Sequence, residues 1–242
     1  MRVNISLLLL ILVFYSCKST YKLAALYPSV SGELVVHYYY ALDYNEAHEQ
    51  ANWVIYMADH FGNAERSDNF KEDPIVSTKS ASLADYKSSG YDRGHIAPAA
   101  DMSISELAMT ESFYLSNMSP QVPAFNRGIW KNLEAKVRDW AVAAQSPSDI
   151  VITGPILDGD CGKIGNGVSV PCAYFKIYVD LQSEKAIAFI LPNESSKKEI
   201  KEFVVSIDSI EYRTNIDFFH TFSESKQSDI ESQKNPNDWQ WD

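Results

Sequence analysis

Metal-binding and nucleophilic signatures are sparse in this sequence. Five histidines occur in 242 residues, at positions 37, 48, 60, 95 and 220. None are spaced as HxxxH or HExxH, which removes the usual helical zinc-hydrolase site. No GxSxG turn presents a serine nucleophile, and no P-loop cradles nucleotide phosphates. Three cysteines, Cys17, Cys161 and Cys172, form no CxxC pair for a metal. Ten Gly and ten Pro are too few for a collagen-like or low-complexity chain. Positive charge is also short: 21 Lys and Arg stand against 32 Asp and Glu, a net charge of −11. This excludes a basic coat protein that binds polyanions by bulk charge. It leaves open an enzyme that reaches a few phosphates through a local cluster, because phosphate contact is a local property. The remainder is ordinary for a globular domain: 45% hydrophobic, 12% aromatic and 22% charged.

Long apolar runs are equally scarce. The one that stands out is ISLLLLILVF at 5–14, preceded by Arg2 and followed by Ser16-Cys17. It is too short for a membrane span and has the positive start and small-residue end of a secretory signal. Residues 1–16 are therefore expected to be a signal peptide. Cys17 resembles the acylated cysteine of a bacterial lipobox, although Phe14 and Tyr15 are bulkier than the usual residues there. The expected protein is exported, a periplasmic or cell-surface lipoprotein held to the membrane through Cys17, with plain secretion as the alternative. Residues 17–33 would form the lipid-anchored tether. With Cys17 spent on lipid, Cys161 and Cys172 remain as an even pair in an oxidising compartment. Gly- and turn-rich GKIGNGVSVP separates them. A disulfide across the foot of a hairpin and two free thiols both stay open.

Along the chain, LVVHYYY (34–40) carries a strand signal, and AHEQANWVIYMA (47–58) mixes helical and strand character. Residues 60–90 are polar and loop-like. A helix fits 103–113. A stronger one fits 128–144, where Trp130, Leu133, Val137, Trp140 and Ala144 step by three and four to make an apolar stripe. Residues 149–157, 173–181 and 185–192 read as strands, and 197–214 as helix and loop. From 222 to 242 the composition turns polar, as in a flexible tail. Helices and strands do not alternate strictly, so the expected class is α+β over residues 34–221.

The segment richest in chemistry is GYDRGHIAPAADM (90–102), where Asp92, Arg93 and His95 crowd around Gly94. LSNMSPQ (115–121) and FNRGIWKNLEAKVR (125–138) follow, the latter setting Asn126 ahead of the stripe helix and Glu134 and Arg138 along it. Together with TGPIL, LPN, VSIDSIE and LDYNEAHEQANWVIYM, these segments resemble the DNA/RNA non-specific endonuclease family, in the family's order and over roughly residues 35–220. The resemblance implies a central, mostly antiparallel sheet flanked by helices, with a ββα-metal finger at the active site. It implies hydrolysis of DNA and RNA phosphodiesters to 5′-phosphate products; no protein partner is inferred.

The residue chemistry agrees with this. A neutral imidazole accepts a proton near pH 7, which makes His95 the natural general base. Asn126 matches the family's single direct metal ligand. One amide oxygen suits Mg²⁺, which keeps most of its waters, with Mn²⁺ as an alternative. Glu134 matches the acidic helper that holds metal-bound water. Eight helical residues rise about 12 Å, so Asn126 and Glu134 cannot clasp one ion from a regular helix, and Asn126 must sit in the entry turn. Glu134 must then lean toward the helix N-terminus, or form a surface pair with Arg138. Arg93 and Arg138 are the candidates for neutralising phosphoryl charge. Asn117 is counted among the catalytic set as a positioning amide. Asp92 is expected to fix the loop or Arg93, and Arg127 and Lys131 to add groove charge or remain solvated. The rival reading is a catalytically inactive nucleic-acid-binding or structural envelope lipoprotein of the same fold.

Overall fold

The computed structural model describes residues 23–58, 61–146 and 148–241. The apolar run, its cleavage point and Cys17 lie outside the described residues. Among the described residues, no helix is long and apolar enough to cross a membrane.

A seven-stranded, wholly antiparallel sheet forms the frame, in the order β1-β2-β3-β6-β9-β10-β11. Its strands are β1 (Glu33–Val36), β2 (Tyr40–Asn45), β3 (Gln50–Met57), β6 (Ile150–Ile156), β9 (Ala173–Asp180), β10 (Lys185–Pro192) and β11 (Val204–Val205). Period-two alternation sends the side chains of β9 to two separate cores. Tyr174 and Tyr178 join Val54, Tyr56 and Phe189 on one face. Phe175, Ile177 and Val179 join Trp53, Ile55 and Ile152 on the other. Both faces are covered, which explains why these strands read as nearly continuous apolar runs.

The first face is covered by α3 (Lys131–Ala144), whose buried stripe is Leu133, Val137, Trp140 and Ala141. The second is covered by α4 (Ile207–Thr214) and α5 (Glu224–Glu231), through Ile207, Ile210 and Ile230, and by Phe218 and Phe219 of the segment between them. Two shorter helices, α1 (Leu83–Tyr86) and α2 (Glu106–Ser112), lie in the connections, α2 capped by Ser105 Oγ accepting from Ala108 N at 3.1 Å. Two small two-stranded units complete the fold: a ribbon of β4 (Asp92–His95) with β5 (Met118–Gln121), and a hairpin of β7 (Lys163–Ile164) with β8 (Val168–Ser169). Cys161 and Cys172 close the hairpin as a disulfide, with Cα atoms 5.4 Å apart, which resolves the alternative of free thiols.

Several sequence expectations need correction. The run 34–40 is not one strand. β1 ends at Val36, and a tight turn closes with His37 N donating to Tyr40 O at 2.9 Å. Burial of the His37 ring causes the break: its Nε2 pairs with Asp73 Oδ2 at 2.8 Å and it lies against Tyr40 and Tyr114. The ambiguous 47–58 segment becomes strand β3. The described part of the expected tether, residues 23–33, is packed on the domain: Leu23 is buried, and Trp53 Nε1 donates to Ser29 O at 3.0 Å.

The expected flexible tail is likewise ordered. Its composition is polar, but it carries three well-placed apolar groups. Ile230 is buried under the second face. Trp239 and Trp241 flank Trp140, with ring centroids 5.0 and 5.1 Å away, and Trp140 Nε1 donates to Gln240 O at 2.6 Å. Deleting residues 234–242 should uncover Trp140, Tyr178 and Phe189. The expected result is a Tm lower by about 5–10 °C in a thermal melt. Cleavage of plasmid below that Tm should persist, because this contact lies at the far end of α3 from its entry turn.

Candidate active site

The sequence DRGH forms β4, paired antiparallel with MSPQ of β5: Asp92 opposite Gln121, Arg93 opposite Pro120, Gly94 opposite Ser119 and His95 opposite Met118. A helical turn at Pro123–Phe125 and a wide turn at Asn126–Trp130 then lead into α3. This is a ββα unit. Asn126 sits in the entry turn, as the helical rise required, and the dihedrals depart from helix at Gly128 (φ −108°, ψ −115°). The stripe helix consequently begins at Lys131 rather than 128. Gly94 is needed for close approach: a Cβ there would strike the buried side chain of Gln121.

Alternation along β4 puts Arg93 and His95 on one side. The His95 ring meets Phe113 edge-on at 4.7 Å and Phe70 at 5.8 Å. Its Nε2 is buried with no hydrogen-bond partner. Burial pushes the imidazole pKa down to about 3, and the nearby charges of Arg66 and Arg93 add to this. The ring is therefore neutral at pH 7. An orphaned polar atom of this kind marks a place where function sets the structure.

Two arginines flank the ring. Arg93 lies over Phe70 at 4.2 Å, and Arg66 lies over Phe113 at 5.0 Å, both with exposed side chains. Arg66 was not among the sequence candidates, since it comes from the polar 60–90 loop where no motif or period singles it out.

Asp92 organises the opposite side of the finger. Its Oδ2 accepts from Asn126 Nδ2 at 2.8 Å, and its two oxygens take Arg127 Nε and Nη2 at 2.8 and 2.6 Å. The sequence paired Asp92 with the loop or Arg93; the structure pairs it with Asn126 and Arg127. Burial pushes the Asp92 carboxyl up, but these hydrogen bonds outweigh it and hold the pKa below the usual range. Arg127 remains 73% exposed at its side chain. Lys131, at the start of α3, is exposed as well.

Further along α3, Glu134 belongs to a semi-buried ionic group. Arg138 Nη1 donates to Asp101 Oδ1 at 2.6 Å, and Tyr56 Oη donates to Asp101 Oδ2 at 2.6 Å. Lys176, 1% exposed, sits with Nζ 4.8 Å from the Trp130 ring centre and no hydrogen-bond partner. Burial pushes Glu134 up to about 7, Asp101 pushes it the same way, and Lys176 and Arg138 pull it back. Burial likewise lowers the Lys176 pKa, with Glu134 and Asp101 opposing. Arg138, expected at the phosphate, is thus committed to Asp101, and the expected Glu134–Arg138 surface pair gives way to this group. A lone lysine on the inward period of an otherwise apolar strand was the available signal for Lys176.

Asn117 is a correction. It is fully buried, and its amide is saturated by backbone: Oδ1 accepts from Ala97 N at 2.9 Å, and Nδ2 donates to Ala97 O and Ser112 O at 3.0 and 2.8 Å. It cannot touch a substrate. It clamps the chain just after His95, and Ile96 N donates to Asn117 O at 2.9 Å beside it.

A neutral imidazole, an amide fixed by a carboxylate and exposed guanidinium groups thus share one ββα unit. The sequence comparisons define the class. The family described as DNA/RNA non-specific endonuclease matches residues 24–225. The chain is 36% identical over 216 residues to a nuclease of Nostoc sp. (strain PCC 7120), covering 82% of this chain and 77% of that protein. It is 34% identical to nuclease C1 of Cunninghamella echinulata var. echinulata, covering 84% and 89%. Against the mitochondrial endonuclease G of Caenorhabditis elegans it is 35% identical, covering 81% and 74%. A chain from the crystal structure of the EndoG/EndoGI complex superposes with a TM-score of 0.72 at 30% identity, covering 84% of this chain and 92% of that one. The protein belongs to the DNA/RNA non-specific endonuclease family and is a nuclease.

Asn117→Ala should leave three buried backbone groups without partners, each costing about 1–3 kcal/mol. A loss of about 3–9 kcal/mol in urea unfolding is expected, and Asn117→Asp should not restore it, because a carboxylate has no N–H to donate. Gly94→Ala should displace Gln121 and lower kcat at least about tenfold, since misplacing catalytic groups by an ångström costs up to about a hundredfold. Plasmid nicking by protein with unchanged circular dichroism checks this.

Proposed function

We propose that the protein cuts DNA and RNA at internal phosphodiesters without reading sequence, with His95 as general base. The observation that carries this reading is His95 Nε2, neutral, buried and unpartnered on the strand that pairs with the one leading to Asn126. His95 takes the proton of the attacking water as the new P–O bond forms. The bond from phosphorus to O3′ then breaks, leaving a 5′-phosphate. Arg66 and Arg93 neutralise charge on the phosphoryl oxygens. Exposed Arg127 and Lys131 extend the contact to neighbouring phosphates.

The donor set fits a hydrated Mg²⁺, with Mn²⁺ as an alternative. Because the Asn126 amide N–H is fixed on Asp92, its carbonyl Oδ1 is turned away and available as a ligand. Asn126 would hold the ion directly and Glu134 through water. When bound, the ion supplies charge neutralisation at the phosphate and at the departing oxygen. Asp92 orients the ligand, and the Asp101–Arg138–Lys176 group sets the charge on Glu134.

Export and anchoring through Cys17 are part of the same proposal. They are supported by residues 2–17 and by the Cys161–Cys172 disulfide, which suits an oxidising compartment. Intact-mass measurement of membrane-extracted protein, with Cys17→Ala as control, tests this part.

His95→Ala should lower kcat/KM by about 10²–10⁴-fold with Tm unchanged. Full activity in a folded His95→Ala protein would sink the assignment. Asn126→Ala should lose activity that excess Mg²⁺ partly restores, and EDTA should abolish activity in the parent. With a net charge of −11, binding rests on a few arginines. Two to four phosphate contacts correspond to a salt slope of about −2 to −4 in log kcat/KM. A much steeper slope in a KCl titration would reveal a wider basic surface than these residues make.

A further inference from the structure

The second face of the sheet carries a group of carboxylates that the nuclease reaction does not use. Asp208 and Glu211 lie three residues apart on α4, and Glu231 is the last residue of α5. One carboxylate oxygen from each lies within 4.8 Å of the others.

Acidic clusters are common on surfaces, but Glu231 is not a surface residue. It is 7% exposed, and its Oε1 is buried with no hydrogen-bond partner. The cations on these helices are engaged elsewhere: Arg213 pairs with Asp158, and Lys226 with Glu184. Burial and the neighbouring carboxylates, Glu211 first, raise Glu231 to about 7, and Glu211 is raised as well. Three converging acids, one of them desolvated, stay together only with a bound cation or a shared proton.

We propose that Asp208, Glu211 and Glu231 bind a calcium ion that clamps α5 to α4. The ligands are hard oxygens, which select calcium or magnesium over softer metals. Three carboxylates converging on one point suit calcium, which takes six to eight oxygens in a flexible shell, better than magnesium, which keeps most of its waters and is held by one or two carboxylates. The remaining positions fall to water at exposed Asp208. The site is separate from the finger, being on the other face of the sheet, and its role is to hold the C-terminal helix.

The test is a thermal melt of the protein stripped with EDTA, then supplied with CaCl2 or MgCl2. At a tenfold excess over Kd, calcium should raise Tm by about 3–6 °C. The same rise should appear in Asn126→Ala, which removes the catalytic ligand, and it should vanish in Glu231→Gln. Asp208→Asn, at an exposed position, should weaken it at least tenfold in calcium titration and serves if Glu231→Gln fails to fold. Absence of a calcium shift in the parent would overturn the proposal, since the cluster would then be held by a shared proton. A full shift in the Asp208 and Glu231 variants, or its loss in Asn126→Ala, would overturn it by placing the ion elsewhere.

Discussion

The Asp92 carboxylate joins the first strand of the finger to the turn that enters α3, and the site is built around that junction. One oxygen fixes the Asn126 amide and the pair together grip Arg127. Without it, β4 and the turn would be linked only through the β4–β5 ladder, and the Asn126 side chain could flip its oxygen and nitrogen. The charge-assisted bonds make the amide orientation a property of the fold. The turn also does a second thing. By breaking the helix between Asn126 and Lys131, it lets α3 keep its apolar stripe on the sheet while Asn126 faces the finger.

Much of this was legible in the sequence. The stripe from Trp130 to Ala144 predicted a helix packed on one face, and Leu133, Val137 and Trp140 are buried there. The strands 150–156, 173–180 and 185–192 were readable because burial on both faces leaves nearly unbroken apolar runs. The order of the motifs carried the family, and the rise of a helix was enough to put Asn126 in the entry turn. What was not legible came from contacts between residues far apart in the chain. Asp101 acquires its meaning from Tyr56 and Arg138, and Arg66 from Phe113 and His95. No local period encodes such pairs. The C-terminal segment failed for another reason: composition averages over a window, and Ile230, Trp239 and Trp241 are too few to shift it, although each finds a specific cavity or ring.

Electrostatics in this protein is therefore a matter of allocation. The chain is acidic overall, yet its arginines are sorted by depth. Arg138 is half-buried against Asp101 and serves the interior, while Arg66 and Arg93 lie over aromatic rings at the surface. Arg66 also donates from Nε to Asp68 Oδ1 at 2.7 Å, whereas Arg93 is supported by the Phe70 ring.

The cross-linked β7–β8 hairpin lends this arrangement a dependence on its surroundings. Ile164, Val168 and Val170 pack with Tyr86, Leu115 and Met118, so the hairpin forms the wall behind β5, and Met118 is the residue opposite His95. Cys172 also leads straight into β9, and its carbonyl accepts from Asn193 N at 3.0 Å just past β10, so the cystine joins this wall to the ends of two strands of the main sheet. In a reducing milieu the wall behind the finger would be the first part to soften, while the frame stayed intact. Met118, and with it the strand that pairs with the DRGH segment, would then rest on a looser wall.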